Sequence, residues 1–337
     1  MTPLVAIDAD VLGRERTGDE TYVHNLLRRL PDAAGGEIRF AAVTRHPELV
    51  PDGVESLMLT TPSQELRMSW TLPRLLRRVR PSLAHFQYAL PFACPCPAVV
   101  TVHDLSFERD PTAMGRRDRF VFRRVVPRAV RRAKCVFVVS ERTRRDLIEL
   151  YATPPKKIVV SPNAVDPAFA PDGEPDGYLL FVGAIQRRKN PLAAANAANA
   201  VGLPLVVAGP AKEPELAREL ERRGADLRGY VDKSELARLY QRAACLVLPS
   251  RYEGFGLPVL EAMACGTPVV AADEPALREV GGDAAVYAGE AELADAVRRT
   301  LDDRAAWSRA GIERARLFSW DETARRVVEG YRRALAA

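Results

Sequence analysis

The sequence predicts an α/β fold made of two successive doubly wound domains. Three observations carry this. The length, 337 residues, suits about two domains. Short β-branched or apolar runs alternate with helix-period segments, an order that gives parallel sheets with crossover helices. A proline- and glycine-rich stretch, Asp166 to Gly177, interrupts the alternation, which then restarts. The composition, 47% hydrophobic and 28% charged, is that of a globular chain and excludes disordered, collagenous and coiled-coil classes. No apolar run approaches the roughly 18 residues that cross a bilayer.

The first predicted strand, Leu4 to Ile7, ends at Asp8 and leads into a loop holding Gly13 and Gly18, then a helix from Thr21 to Leu30. Further strands are predicted at Arg39 to Val43, Leu83 to Phe86, Ala98 to Val102, Cys135 to Val139 and Ile158 to Ser161. After the linker come strands at Tyr178 to Val182, Leu205 to Ala208, Leu227 to Val231, Cys245 to Leu248 and Pro268 to Ala271. Helices are expected from Pro191, at Glu213 to Arg223, at Ser234 to Ala243, from Pro258, and at Asp321 to Leu335. The expected organisation is an N-terminal domain at 1–165, a linker at 166–177, a second domain at 178–320 and a terminal helix at 321–337. Two such domains facing each other would make a cleft into which the carboxyl ends of the strands point.

Charge is distributed unevenly. Residues 1–170 carry 26 basic against 19 acidic residues, hence +7, and residues 171–337 carry 23 against 25, hence −2. The basic character concentrates at Arg67 to Arg80 and Arg116 to Arg145. The first of these has the pattern of an amphipathic helix, which fits either an anionic membrane surface or an ordinary arginine-rich polar face. With modest positive charge and no nucleic-acid-binding motif, nucleic acid is not an expected partner. Met1 to Asp10 shows no basic leader or apolar export core. The five cysteines are odd in number, and Cys94-Pro-Cys96 is too tight for the usual zinc spacing. These features predict reduced thiols and a cytoplasmic location, extended to the inner membrane face if the basic helix binds lipid.

The most informative segment runs from Pro249 to Pro268 and reads as strand, glycine-bearing loop and short helix. Pro258 suits the first helical position and Gly266 the residue just past the end. Gly254 and Gly256 allow backbone N–H groups to approach a ligand, and the helix start adds partial positive charge, so the loop is an anion cradle. Glu253 and Glu261 flank it, eight residues apart. Carboxylates there suit sugar and ribose hydroxyls, which donate strongly to them. Taken singly, each also fits a plain role, as a surface loop residue or a helix-start charge.

A second segment, Phe181-Val-Gly183 to Arg187-Arg188-Lys189-Asn190, places three consecutive cations after a strand. Alone it is a solvated charge run. Beside the anion cradle, at the end of a strand of the same domain, it becomes a means of neutralising a diphosphate with side chains.

These segments, with Gly229-Tyr-Val-Asp232, Val102-His103-Asp-Leu, Val139-Ser-Glu-Arg-Thr143 and Ser161-Pro-Asn-Ala-Val-Asp166, strongly resemble the retaining glycosyltransferases of GT-B architecture, and most of all family four of that class. The resemblance spans nearly the whole chain. It implies two Rossmann-like domains facing a central cleft, and transfer of a hexose from a nucleoside diphosphate sugar without a metal or other cofactor. GDP-mannose is the first expectation for the donor, with UDP-glucose and deoxythymidine diphosphate sugars open. The acceptor would be a saccharide, a lipid-linked sugar or a small molecule.

Carried over by position, Arg188 and Lys189 would contact the diphosphate, and the backbone at Phe255, Gly256 and Leu257, with Gly254 and Gly183, would complete that site. Glu253 would bind the sugar and Glu261 the ribose, and the backbone at Tyr230 and Val231 would border the base. His103 would lie near the sugar. Gly18 would lie near the donor phosphates, although the loop lacks the tight glycine pair common there.

Other readings have less support. Asp8-Ala-Asp10 imitates a metal-binding Asp-x-Asp motif but follows the first strand, in the expected acceptor domain. A nicotinamide dehydrogenase lacks its glycine fingerprint. A phosphorylase, a sugar-nucleotide epimerase and a catalytically silent nucleotide-sugar-binding subunit remain the alternatives on the same architecture.

Overall fold

The computed structural model describes residues 2–14, 17–112 and 114–336. They divide into two compact units: residues 1–105, 116–163 and 320–337, and residues 106–115 with 164–319.

The first unit is built on a seven-stranded parallel sheet. Its strands are β1 (Leu4–Asp8), β2 (Arg39–Thr44), β3 (Glu55–Met58), β4 (Leu83–Gln87), β5 (Ala98–Val102), β6 (Val136–Val138) and β7 (Ile158–Val160). They lie in the order β3-β2-β1-β4-β5-β6-β7. Central strands of such a sheet are covered on both faces, which is why they read as near-continuous apolar runs. In β1, Val5, Ala6 and Ile7 are all buried. The edge strand β3 follows another rule, leaving Glu55, Ser56 and Met58 exposed, with only the short run Leu57 to Leu59 to mark it. The order reverses between β1 and β4, where a doubly wound sheet opens a crevice at its carboxyl end.

Two helices differ from expectation. The first runs Thr17–Ala34, through Pro31, so Gly18 sits in its first turn rather than in a loop, while Glu15 and Arg16 of the expected loop lie outside the described residues. The glycine that the loop requires is Gly13, with φ +74° and a Cβ position only 2.9 Å from the His46 ring. The basic helix is interrupted: Gln64–Leu66 and Leu72–Val79 flank a π-helical turn at Arg67–Thr71.

The chain ends inside the first unit. In the helix Trp320–Ala336, the Tyr331 hydroxyl lies 2.7 Å from His85 Nδ1 on β4. His85 Nε2 lies 2.7 Å from the Thr101 hydroxyl. Burial drives the His85 pKa down to about 3, leaving the ring neutral.

The second unit holds a six-stranded parallel sheet. Its strands are β8 (Tyr178–Val182), β9 (Leu205–Ala208), β10 (Asp226–Gly229), β11 (Ala243–Leu248), β12 (Val269–Ala271) and β13 (Val286–Tyr287). The order is β10-β9-β8-β11-β12-β13, with its reversal between β8 and β11. Gly229 turns at φ +65° and ends β10, so Tyr230 and Val231 lie beyond the strand rather than within it.

Candidate active site

Both informative segments begin at the reversal of the second sheet. β8 delivers Gly183 and the cations, and β11 delivers the glutamate loop. This is the position at which open α/β sheets take their ligands.

The cations form a 3-10 turn, Arg187–Lys189. Asn190 then takes a left-handed conformation, φ +52°, which an asparagine tolerates better than most residues and which leads into Pro191 at the first position of the helix Pro191–Val201. The turn sorts the three side chains. Arg187 points to solvent with 74% of its side chain exposed and pairs with Glu213, whereas Arg188 and Lys189 keep only 11% and 13%. A solvated charge run would leave all three exposed.

Glu253 is buried, which rules out the surface-loop role. Lys189 Nζ donates to both of its carboxylate oxygens at 2.6 Å, and Arg188 Nη1 lies 3.8 Å away. Burial pushes the Glu253 carboxyl up, but Lys189 first and Arg188 second outweigh it and hold the group below the ordinary glutamate range. Arg188 Nη1 also donates to the Tyr252 carbonyl at 2.5 Å, and the Arg251 amide donates to the Arg188 carbonyl at 2.9 Å. The two loops are therefore tied through backbone and side chain. Arg188 Nε is buried with no hydrogen-bond partner among the described residues.

The cradle follows at once. Gly256 adopts φ +109°, and a Cβ there would lie 2.8 Å from Leu277 Cδ2, so conformation and space both demand glycine. It caps the helix Leu257–Ala264 without a side-chain acceptor, so the partial positive charge of the helix start is not offset by a capping side chain. Phe255 is buried, and its ring meets that of Phe318 edge-on at 5.9 Å. Gly254 and Gly183 border the same two loops.

Glu261 lies within that helix, where the Tyr240 hydroxyl donates to it at 2.9 Å. Burial raises its pKa to about 7. The Tyr240 hydrogen bond opposes this, the Asp166 charge adds to it, and Lys233 opposes it. Tyr240 thus holds the Glu261 carboxylate, a contact that its spacing alone did not reveal.

Two expected residues belong to the first unit. His103 follows β5, buried, with Nε2 2.8 Å from Gln87 Oε1. Burial holds its pKa below the ordinary histidine value against the raising charges of Asp19 and Asp104. Gly18 has open space at its Cβ position. The hydrogen-bond partner of His103, Gln87, carries no signal in the sequence, where it is one polar residue closing an apolar strand.

Asp8 and Asp10 are each paired with arginines. Arg67, itself buried, grips Asp8 with both Nη atoms, at 3.0 and 2.5 Å. Arg45 Nε lies 2.9 Å from Asp10, which also pairs with Arg14. No group of three or more His, Cys, Asp or Glu among the described residues has metal-binding geometry.

Two family models match the chain: Glycosyltransferase Family 4 at residues 16–169 and Glycosyl transferases group 1 at residues 176–303. Among relatives, the chain is 29% identical over 266 residues to O-antigen chain mannosyltransferase B of Escherichia coli, covering 70% of each protein. It is 36% identical over 248 residues to a D-inositol 3-phosphate glycosyltransferase of Kineococcus radiotolerans, covering 58% of this chain and 56% of that one. A sucrose-phosphate synthase from Thermosynechococcus elongatus shares the fold with a TM-score of 0.78 at 22% identity, each chain covered in full.

Proposed function

From the premise that the chain belongs to the group 1 glycosyltransferases of family four, and is therefore an enzyme that transfers a sugar, we propose a retaining hexosyltransferase that uses a nucleoside diphosphate sugar without a metal ion. The observation that carries this is the buried cluster of Arg188, Lys189 and Glu253 beside the helix start at Gly256. A diphosphate would compete with Glu253 for Lys189. Its arrival would give the two cations a new counter-charge and free the carboxylate to accept hydroxyl hydrogen bonds from the hexose. Glu261 takes the ribose, and the backbone at Tyr230 and Val231 borders the base.

Retention by two carboxylates about 5 Å apart, one of them a nucleophile, is the glycosidase solution. Here the acceptor attacks from the face the diphosphate leaves, and the departing phosphate takes its proton. The protein supplies position and stabilises the growing charge through Arg188, Lys189 and the helix start. GDP-mannose is the first donor, a choice supported by the similarity to a mannosyltransferase. The acceptor is a saccharide, a lipid-linked sugar or a small molecule held by the first unit.

A lipid-linked acceptor agrees with the arginine-rich face of the first unit. Trp70, Phe92 and Phe120 are 57%, 70% and 59% exposed, and each lies against an arginine, Arg74, Arg128 and Arg124 respectively. We therefore place the enzyme in the cytoplasm, in peripheral contact with the inner membrane face. Among the described residues no helix is long and apolar enough to cross a membrane.

The test is the melting midpoint of the protein with UDP, GDP, ADP or TDP, each with EDTA or magnesium. GDP should raise it equally in both, since a ligand at 100 times its dissociation constant adds about 2.7 kcal/mol. The shift should grow as pH rises through about 7, where Glu261 ionises and becomes a full acceptor, and Glu261→Gln should flatten that dependence. A shift that requires magnesium, or none with any nucleotide, overturns the reading.

A further inference from the structure

His103 is held by a corner of the first unit at the carboxyl end of β4. Gln87 closes β4 at the reversal of the sheet and pairs in register with Thr101 of β5, two residues before His103. Its Oε1 stands 2.8 Å from His103 Nε2, while its Nε2 is buried without a hydrogen-bond partner among the described residues. The next residue, Tyr88, turns at φ +60°, a conformation rare for a bulky residue and concentrated at functional sites. The Tyr88 amide donates to the Thr101 carbonyl at 2.8 Å, which fixes the turn.

That turn brings the Tyr88 ring against His103, centroids 5.5 Å apart, while Tyr22 meets the imidazole edge-on at 5.1 Å. Tyr22 is itself anchored, its hydroxyl 2.9 Å from Ser161 Oγ. Thr143 Oγ1 donates to the His103 carbonyl at 3.3 Å. Backbone, both ring contacts and one ring nitrogen are thus fixed.

We propose that Gln87 is a positioning residue that selects the tautomer of His103: its carbonyl oxygen accepts the Nε2 proton, so Nδ1 keeps its lone pair and presents it to a hydroxyl of the sugar. A neutral imidazole donates through one nitrogen and accepts through the other, and the fixed partner decides which. This rests on the reading of His103 as a residue of the transfer site.

The chain has four histidines, so selective 15N-histidine labelling, with His103→Ala for assignment, resolves the ring directly. Wild type should show the proton on Nε2. Gln87→Leu should lose that preference and slow the hydrolysis of UDP-glucose or GDP-mannose by about tenfold or more. Gln87→Glu, which keeps an acceptor at the same reach, should retain the tautomer and, at mildly alkaline pH, most of the rate. A proton found on Nδ1 in wild type, or a tautomer unmoved by Gln87→Leu, overturns the proposal. So does a normal rate in Gln87→Leu when His103→Ala is slow. A normal rate in His103→Ala removes the underlying role of His103 instead, and the proposal with it.

Discussion

At the scale of single residues, the cluster around Glu253 performs two tasks that mutagenesis can separate. Lys189 is the main counter-charge of a buried carboxylate and, on the proposed mechanism, a stabiliser of the departing diphosphate. Lys189→Ala should lower turnover by about 10²- to 10³-fold and also destabilise the fold by about 3 kcal/mol, because it leaves buried Glu253 with the more distant Arg188 as its remaining counter-charge. The double variant Lys189→Ala, Glu253→Gln should recover most of the melting temperature and none of the turnover. Recovery of both would mean that Lys189 serves stability alone. Arg188, Lys189, Glu253 and Glu261 could be singled out because each lies close to a glycine or proline that marks a loop or helix start, and the structure buries Arg188, Lys189 and Glu253 together. Gln87 carried no signal, since its contact is with His103, 16 residues away, and Tyr240 was legible only as part of the resemblance, because its hydrogen bond to Glu261, 21 residues away, is made by the fold.

At the scale of elements, the interrupted helix shows why a basic amphipathic pattern is incomplete evidence. Arg67 belongs by spacing with Arg74, Arg77, Arg78 and Arg80, yet it is fully buried and bound to Asp8, 59 residues away in sequence. The π-helical turn at Arg67–Thr71 is where this arginine departs from the exposed row. The pair joins the helix to the carboxyl end of β1, where Asp8 serves as the counter-charge of a buried arginine. Arg67→Ala should cost about 3–5 kcal/mol by stranding a buried carboxylate, measurable by urea unfolding, and Asp8→Asn in the same chain should recover part of it. A loss within 1 kcal/mol would show that Arg45 and Arg14 carry the network unaided. The strands follow the same logic. The buried ones, such as β1, β5 and β11, were visible as apolar runs, and the edge strands β7 and β10 were predicted as well; β3 was not, because it leaves Glu55, Ser56 and Met58 exposed, nor was β13, which is only two residues long.

At the scale of the whole molecule, the excess of positive charge in residues 1–170 has a structural form that composition could not show. On the first unit, Arg74, Arg124 and Arg128 lie against exposed Trp70, Phe120 and Phe92. Arg128 also donates to the Phe92 carbonyl at 3.0 Å. Arg124 and Phe120 line an open hollow of about 460 Å³ with Arg116, Arg119 and Arg123. Exposed aromatic rings carrying cations match a lipid interface, where the ring enters the headgroup layer and the guanidinium meets anionic phosphate. Each arginine near such a surface contributes about 1 kcal/mol, so replacing Arg74, Arg124 and Arg128 together by glutamate should weaken binding by two orders of magnitude or more. Sedimentation with vesicles of phosphatidylserine and phosphatidylcholine should show binding that falls with added salt. Phosphatidylcholine alone should retain little protein, and Trp70→Ala with Phe120→Ala should lower affinity at every salt concentration. Equal recovery on both vesicle types would place the arginines at an ordinary solvated face and favour a soluble acceptor.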